Sequence, residues 1–209
     1  FTTLCDPWRR PLEGALGLFG PPGNIADRFR IAAFRSRIFL TSEAELQTPA
    51  GVSFGDELRA RGFSADFIDS FFRPWFGGIT LDRTLMADAA FCKFVFRCLA
   101  HGEAAIPERG MGAVGEQLAA RLQPGTLRLG CRVVSIEGDR VRLASGEVVE
   151  AETIVVATEG PEAGRLLRMA DTGSKSVTCV WFAAPAAPFD GPWLTLNGDE
   201  EGVVNNLAV

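Results

Sequence analysis

A glycine motif at residues 110–115, GMGAVG, has the Gly-x-Gly-x-x-Gly spacing of a dinucleotide-binding turn. Glu137 follows about twenty residues later, where a carboxylate can bind a ribose hydroxyl. Such a turn needs a buried strand that leads into its first glycine, but Pro107, Glu108 and Arg109 directly precede the motif. This context predicts a glycine-rich helix start and disfavours a nucleotide site on these glycines.

A second motif at residues 51–55, GVSFG, has the Gly-x-Ser-x-Gly spacing of a hydrolase nucleophile. That chemistry requires a strand before the serine and a histidine later in the chain to activate it. The only histidine, His101, lies at the end of a predicted helix, and Ser53 is well placed to cap one. The pattern therefore favours a helix cap over a catalytic serine.

Composition narrows the function classes further. The five cysteines include no Cys-x-x-Cys pair, and one histidine cannot complete a zinc site, so no metal site is expected. A net charge of −5 argues against a nucleic-acid partner. No apolar run reaches the roughly 18 residues needed to cross a bilayer, so we expect no integral membrane segment and a cytoplasmic protein.

The first half of the chain predicts helices. Asn24 with Asp27 starts a helix with an apolar face that includes Ile25 and Phe29, Ser53 starts another, and Ser64 starts a third that Pro74 should end. Residues 84–100 are apolar nearly all round, which predicts a buried helix.

Beyond Pro107 the pattern changes. A helix with the apolar stripe Met111, Val114, Leu118 and Leu122 precedes three strand-like segments joined at Gly-Asp and Ser-Gly turns. Residues 154–157 are continuously apolar, which predicts a strand in a sheet covered on both faces. Residues from 175 onward predict further strands.

Four segments, read in order, carry a family resemblance: FFRPWFGGITLDRTL, IPERGMGAVGEQLAARL, CRVVSI and SGEVVEAETIVVATEGPEAGRLL. Together they resemble the middle of the flavin-containing amine oxidases and their phytoene-desaturase-like and protoporphyrinogen-oxidase-like relatives, over about residues 50–170. The resemblance implies FAD as the cofactor.

The resemblance also implies an α+β chain of the α/β family. Residues 1–105 would form a mainly helical substrate domain. Residues 106–170 would supply a helix, a β-meander and a strand to a Rossmann-like FAD-binding domain. Residues 171–209 would be a β-rich, truncated part of the substrate domain.

Site residues follow from the same resemblance, and it assigns no catalytic residue. The backbone of Val133 would pair with the adenine of FAD, and Ala157, Thr158 and Glu159 would lie near the dinucleotide. Thr158 also follows a predicted buried strand, a common position for ligand contacts. The substrate cavity would be lined by Arg73, Trp75, Phe76, Gly77 and Gly78. Core packing explains the rings of Trp75 and Phe76, and the side chain of Val133, equally well.

The function that the resemblance implies is oxidation of a small molecule by hydride transfer to flavin. The phenylalanine-rich helical part should form an apolar cavity, so we expect a hydrophobic substrate. The complete enzyme would also need an apolar strand and a second glycine motif near its N-terminus, which these 209 residues lack. We therefore expect a fragment that is inactive alone, binds FAD weakly and forms a homodimer through uncovered surface. The alternative is a non-enzymatic module that binds a lipid or a protein through an apolar cavity or surface.

Overall fold

Helices make up most of the chain up to His101, and short antiparallel strands follow. The computed structural model describes residues 12, 20, 22–102, 105–170, 173–189, 191, 193–199 and 202–208. The helices are α1 (Ile25–Leu40), α2 (Glu43–Gln47), α3 (Phe54–Ala60), α4 (Ala65–Phe67), a π-helical turn (Ile68–Phe72), α5 (Arg73–Thr80), α6 (Ala89–His101), α7 (Gly112–Ala119) and α8 (Gly160–Leu167). The strands are β1 (Val133–Glu137), β2 (Arg140–Leu143), β3 (Val148–Glu150), β4 (Leu194–Leu196) and β5 (Asn206–Ala208).

The chain divides into two units. Unit 1 combines Phe1–Ala104 with Val177–Val209, and unit 2 is Ala105–Ser176. The α+β class is confirmed. Every strand pair among the described residues is antiparallel, so the Rossmann-like part and the three domain boundaries stay predictions.

The predicted start of α1 is confirmed, and two large apolar residues in its first two turns are exposed. Asn24 and Asp27 cap the helix reciprocally through their side chains. Ile25 and Phe29, members of its apolar pattern, are 50% and 68% exposed. The fully buried Asp27 takes an inner position instead, because its carboxylate accepts hydrogen bonds from the Ser64 N–H at 3.0 Å and the Ser64 hydroxyl at 2.6 Å.

The prediction that Pro74 ends its helix was wrong. After α4 the chain continues through the π-helical turn Ile68–Phe72 into α5, which has Pro74 in its first turn. Proline cannot donate a backbone hydrogen bond, and within the first turn of a helix that donor is not needed. The π-helical turn, closed by a bond from the Arg73 N–H to the Ile68 carbonyl, lets the helix restart at that point.

Phenylalanine rings form the core of unit 1. Phe54 lies 4.6 Å from Phe76 and 5.7 Å from Phe72, measured between ring centroids. The buried core residues are Phe34, Ile38, Phe54, Leu58, Phe63, Phe67, Ile68, Phe72, Phe76, Leu85, Ala89, Cys92 and Phe96. The helix predicted for 84–100 begins later, with Asp88 as its cap, and is buried on one face only, since Phe91 is half exposed.

A hairpin of β4 and β5 lies along one face of the segment formed by the π-helical turn and α5. The face consists of Ser70, Pro74 and Gly78, each four residues from the next. The Asn205 side chain donates a 2.8 Å hydrogen bond to the Pro74 carbonyl. A Cβ atom on Gly78 would lie 2.7 Å from the Asn206 side-chain amide, so this amide would have to shift if position 78 carried a side chain.

Unit 2 contains the predicted meander, in the order β1-β2-β3. The strand predicted at residues 154–157 is not formed, and Val155 is 83% exposed. A central strand needs hydrogen-bonded neighbours, and no described strand pairs with it. Residues 175–183 likewise form no strand. Helix α7 is confirmed, but its stripe is exposed, with no buried residue in the helix.

Candidate functional site

The predicted cofactor residues lie in unit 2, where helix α8 packs against strand β1. Val133, partly buried, opens β1, and its backbone carbonyl lies on the side of α8. The connection runs through Arg165, whose guanidinium donates to the Val134 carbonyl at 3.0 Å and to the Val133 carbonyl at 3.5 Å. The structure thus brings β1 and α8 together, as a shared contact to one ligand would require.

The other three predicted cofactor residues form the turn into α8. Ala157, Thr158 and Glu159 are exposed, and Glu159 occupies the N-cap position with φ −58° and ψ 153°. The Glu159 side chain makes no capping bond to the helix. Pro161, in the first turn of α8, has no backbone N–H that needs an acceptor. The turn presents the Thr158 hydroxyl, the Glu159 carboxylate and the positive end of the helix.

This set of groups fits the adenosine half of a dinucleotide. Adenine carries an amino donor, and the edge of β1 presents carbonyl acceptors. Ribose hydroxyls suit the Glu159 carboxylate and the Thr158 hydroxyl, which now makes only a 3.4 Å contact to the Glu159 carbonyl. The chemistry of Val133, Thr158 and Glu159 therefore suits the role that the resemblance implies, and Ala157 lies in the same turn.

The glycine motif at residues 110–115 has a structural role. Gly110 has a φ of 79° and its N–H closes a turn onto the Pro107 carbonyl at 2.8 Å. No strand is formed at residues 105–109, and α7 starts directly after the turn. Arg109, the cation nearest the motif in sequence, lies 4.0 Å from the Glu116 carboxylate. The motif is a helix entry, in agreement with its sequence context.

The serine motif at residues 51–55 is also structural. The Ser53 hydroxyl accepts a bond from the Asp56 N–H at 3.0 Å and donates to the Asp56 carboxylate at 2.7 Å. His101 stacks on Phe39 at 5.8 Å instead of approaching a hydroxyl. Ser53 is the cap of α3, as predicted.

The predicted substrate residues lie on α5 in unit 1, mostly with their side chains engaged in packing. Phe76 is fully buried in the core. A Cβ on Gly77 would lie 3.2 Å from the Arg83 backbone, so the missing side chain lets the chain at Arg83 pass close to the helix. Arg73 donates to the Asp69 carboxylate at 2.7 Å and to the Arg83 carbonyl at 2.6 Å.

Trp75 is the ring in this group that keeps an exposed part. It packs on Phe71 at 5.1 Å and on Phe96 at 5.6 Å between centroids. Gly78, partly exposed, lies under the hairpin. An apolar wall at this position would therefore consist of Trp75, with Phe76 and Gly77 behind it.

A charged network between α3 and α6 was not predicted. The Glu57 carboxylate accepts bonds from Arg61 at 2.7 and 3.0 Å and lies 3.7 Å from the Lys93 ammonium. Burial opposes ionisation of Glu57, but the two cations outweigh it and lower its pKa. The i, i+4 spacing of Glu57 and Arg61 gives their pairing a sequence signal, whereas the approach of Lys93 depends on tertiary packing.

The comparison with protein families shows to which family the chain belongs. The model of the family described as flavin containing amine oxidoreductase matches residues 6–201. The chain belongs to this family. Membership places it among flavin-dependent oxidoreductases, confirming the resemblance noted in the sequence.

Comparison with curated proteins and with solved structures gives no match. Among the described helices, none is long and apolar enough to cross a membrane.

Proposed function

We propose that this chain is part of an FAD-dependent oxidoreductase that oxidises a hydrophobic small molecule. The observation that carries the proposal is the family match over residues 6–201. It is supported by the juxtaposition of β1 and α8, which offers carbonyl, hydroxyl and carboxylate groups to an adenosine. When bound, the flavin supplies the redox chemistry by accepting a hydride from a substrate C–H bond.

The protein's part in this chemistry is binding and orientation. Val133 would hold the adenine through its backbone, and the turn of Ala157, Thr158 and Glu159 would hold the neighbouring sugar. Hydride transfer needs no protein nucleophile, so the donor carbon has only to be positioned and water excluded.

Trp75 is proposed as the exposed wall of the substrate cavity, with Arg73, Phe76, Gly77 and Gly78 as its framework. The support for an apolar substrate is the aromatic surroundings of Trp75, since the Phe71 and Phe96 rings flank it. An apolar pocket wall contributes affinity through buried area and not through charge.

We further propose that the 209 residues contribute a substrate region and the adenosine contacts, while a separate glycine turn holds the pyrophosphate. The one Gly-x-Gly-x-x-Gly turn in the described chain serves α7. Residues 1–209 alone are therefore expected to bind FAD weakly and to be inactive.

The first test is a visible absorption spectrum of the protein expressed from its complete gene. Flavin bands, followed by release of FAD and not FMN, are the expected result. A colourless protein that added FAD does not change would refute the proposal and favour a binding module.

The substrate class is tested by anaerobic reduction of the bound flavin with a panel of apolar and small polar amines and alcohols. Trp75→Leu is compared with Trp181→Leu, which alters an exposed ring of the same kind. We expect apolar compounds to reduce the flavin and Trp75→Leu alone to raise their KM about tenfold, the equivalent of about 1.4 kcal/mol. Reduction by small polar compounds only would refute the apolar class.

A further inference from the structure

The Arg165 guanidinium links α8 to two consecutive carbonyls of β1, across more than thirty residues of chain. Its remaining N–H groups hold Glu162, three residues earlier, at 2.5 and 2.8 Å. Arg165 is therefore oriented from both sides, by a carboxylate of its own helix and by the strand.

A bulge in β1 makes the double contact feasible. Successive carbonyls of a regular strand point in opposite directions across the sheet. The register of β1 against β2 shifts between Val133 and Ser135. An extra residue of this kind bends a strand and turns its backbone groups, which lets one guanidinium reach both the Val133 and the Val134 carbonyl.

The position of β1 in the sheet also leaves its backbone accessible. In the order β1-β2-β3, β1 is an edge strand, so its outer backbone groups are available to ligands. Unit 2 has two other arginine–glutamate pairs, Arg128–Glu147 and Arg140–Glu150. In the described hydrogen bonds these two arginines donate to glutamate side chains and not to backbone carbonyls. Arg165 differs from them because it reaches main-chain acceptors.

We propose that Arg165 is a positioning residue for the dinucleotide, which holds the Val133 edge of β1 against the helix that begins at the Thr158–Glu159 turn. The inference rests on the proposed function. The pair stays ionised at neutral pH, because the hydrogen bond with Glu162 raises the pKa of Arg165 and lowers that of Glu162. Without Arg165 the two halves of the site have to be brought together by the ligand itself, which costs affinity.

The experiment measures FAD and FMN dissociation constants of the flavin-free protein expressed from its complete gene, by quenching of flavin fluorescence. The variants are Arg165→Ala, Arg165→Lys and, as a control, Arg140→Ala. The control removes one positive charge and one exposed ion pair from the same unit. Equal loss of charge makes long-range attraction to the phosphates comparable in the two alanine variants.

For Arg165→Ala we expect FAD binding to weaken about tenfold and FMN binding to stay the same, because FMN lacks the adenosine. Arg140→Ala should leave both constants within about twofold, and Arg165→Lys should recover part of the FAD affinity since a lysine can still donate to one carbonyl.

Three results would overturn the inference: equal FAD affinities in the two alanine variants, equal weakening of FAD and FMN, or tighter FAD binding by Arg165→Ala. The last would show that Arg165 competes with adenine for the Val133 carbonyl. A wild-type protein that binds neither flavin removes the proposed function, and this inference with it.

Discussion

Replacing Asp27 with asparagine is expected to destabilise unit 1 strongly, because each carboxylate oxygen of this buried side chain faces a main-chain donor. One oxygen accepts from the Ser64 N–H at 3.0 Å and from Arg30 at 3.3 Å. The other accepts from the Asn24 N–H at 3.1 Å and the Ser64 hydroxyl at 2.6 Å. Whichever way the new amide is turned, its NH2 group meets an N–H, and one buried donor loses its acceptor.

The size of the effect follows from these contacts. Hydrogen bonds to a charged group contribute about 1.5–3 kcal/mol, and an unsatisfied buried donor costs about 1–3 kcal/mol. We expect Asp27→Asn to lower the free energy of unfolding by about 2–4 kcal/mol. The assay is urea unfolding followed by tryptophan fluorescence and far-ultraviolet circular dichroism.

Asp56→Asn is the matched control. Asp56 sits three residues after the cap Ser53, as Asp27 does after Asn24, but it is 66% exposed. Water can replace its lost contacts, so the change should cost less than about 1 kcal/mol. Equal effects of the two substitutions would show that burial of Asp27 does not determine its contribution.

The pH dependence gives a second check. Burial would raise the pKa of Asp27, but hydrogen bonds from Ser64 and Asn24 outweigh it and lower the pKa. The contribution of a group with a lowered folded-state pKa is complete above its unfolded value of about 3.9 and is lost as pH falls through the folded value. The stability gap between wild type and Asp27→Asn should therefore narrow in acid, and a gap that does not change with pH would refute this reasoning.

Three further predictions concern other positions. Gly77→Ala should destabilise the protein by about 1–3 kcal/mol in urea unfolding, since the new methyl meets backbone at 3.2 Å, whereas Gly112→Ala, with nothing within 4 Å, should not. Cys92 should resist maleimide labelling while the exposed Cys131 reacts, because burial raises the pKa of Cys92 to about 12. Backbone hydrogen bonds lower the pKa of Asp88, so acid should cost the wild type more stability than Asp88→Asn.

Local signals in the sequence predicted the helix starts and the tight turns. Asn24, Ser53 and Ser64 are caps because their partners lie three residues away, within reach of sequence reasoning. The turns at Gly138 and Gly146 followed from residue types that tolerate a positive φ.

Features that depend on distant partners were missed. Asp27 is buried because of Ser64, which lies 37 residues away, and no local pattern predicts this contact. Residues 154–157 have the composition of a central strand, but a strand forms only where neighbours bind its backbone. In the candidate site, the resemblance named Val133 and Thr158, whereas the contact that joins their elements comes from Arg165 and has no sequence signal.

The aromatic core has a consequence for synthesis on the ribosome. Its buried residues all lie between Phe34 and Phe96, so this part of unit 1 can fold while unit 2 is still being translated. The hairpin that supplies Asn205 joins Pro74 across 131 residues and emerges much later. A nascent chain stalled beyond unit 2 therefore already holds its aromatic centre, and the hairpin docks onto a finished surface.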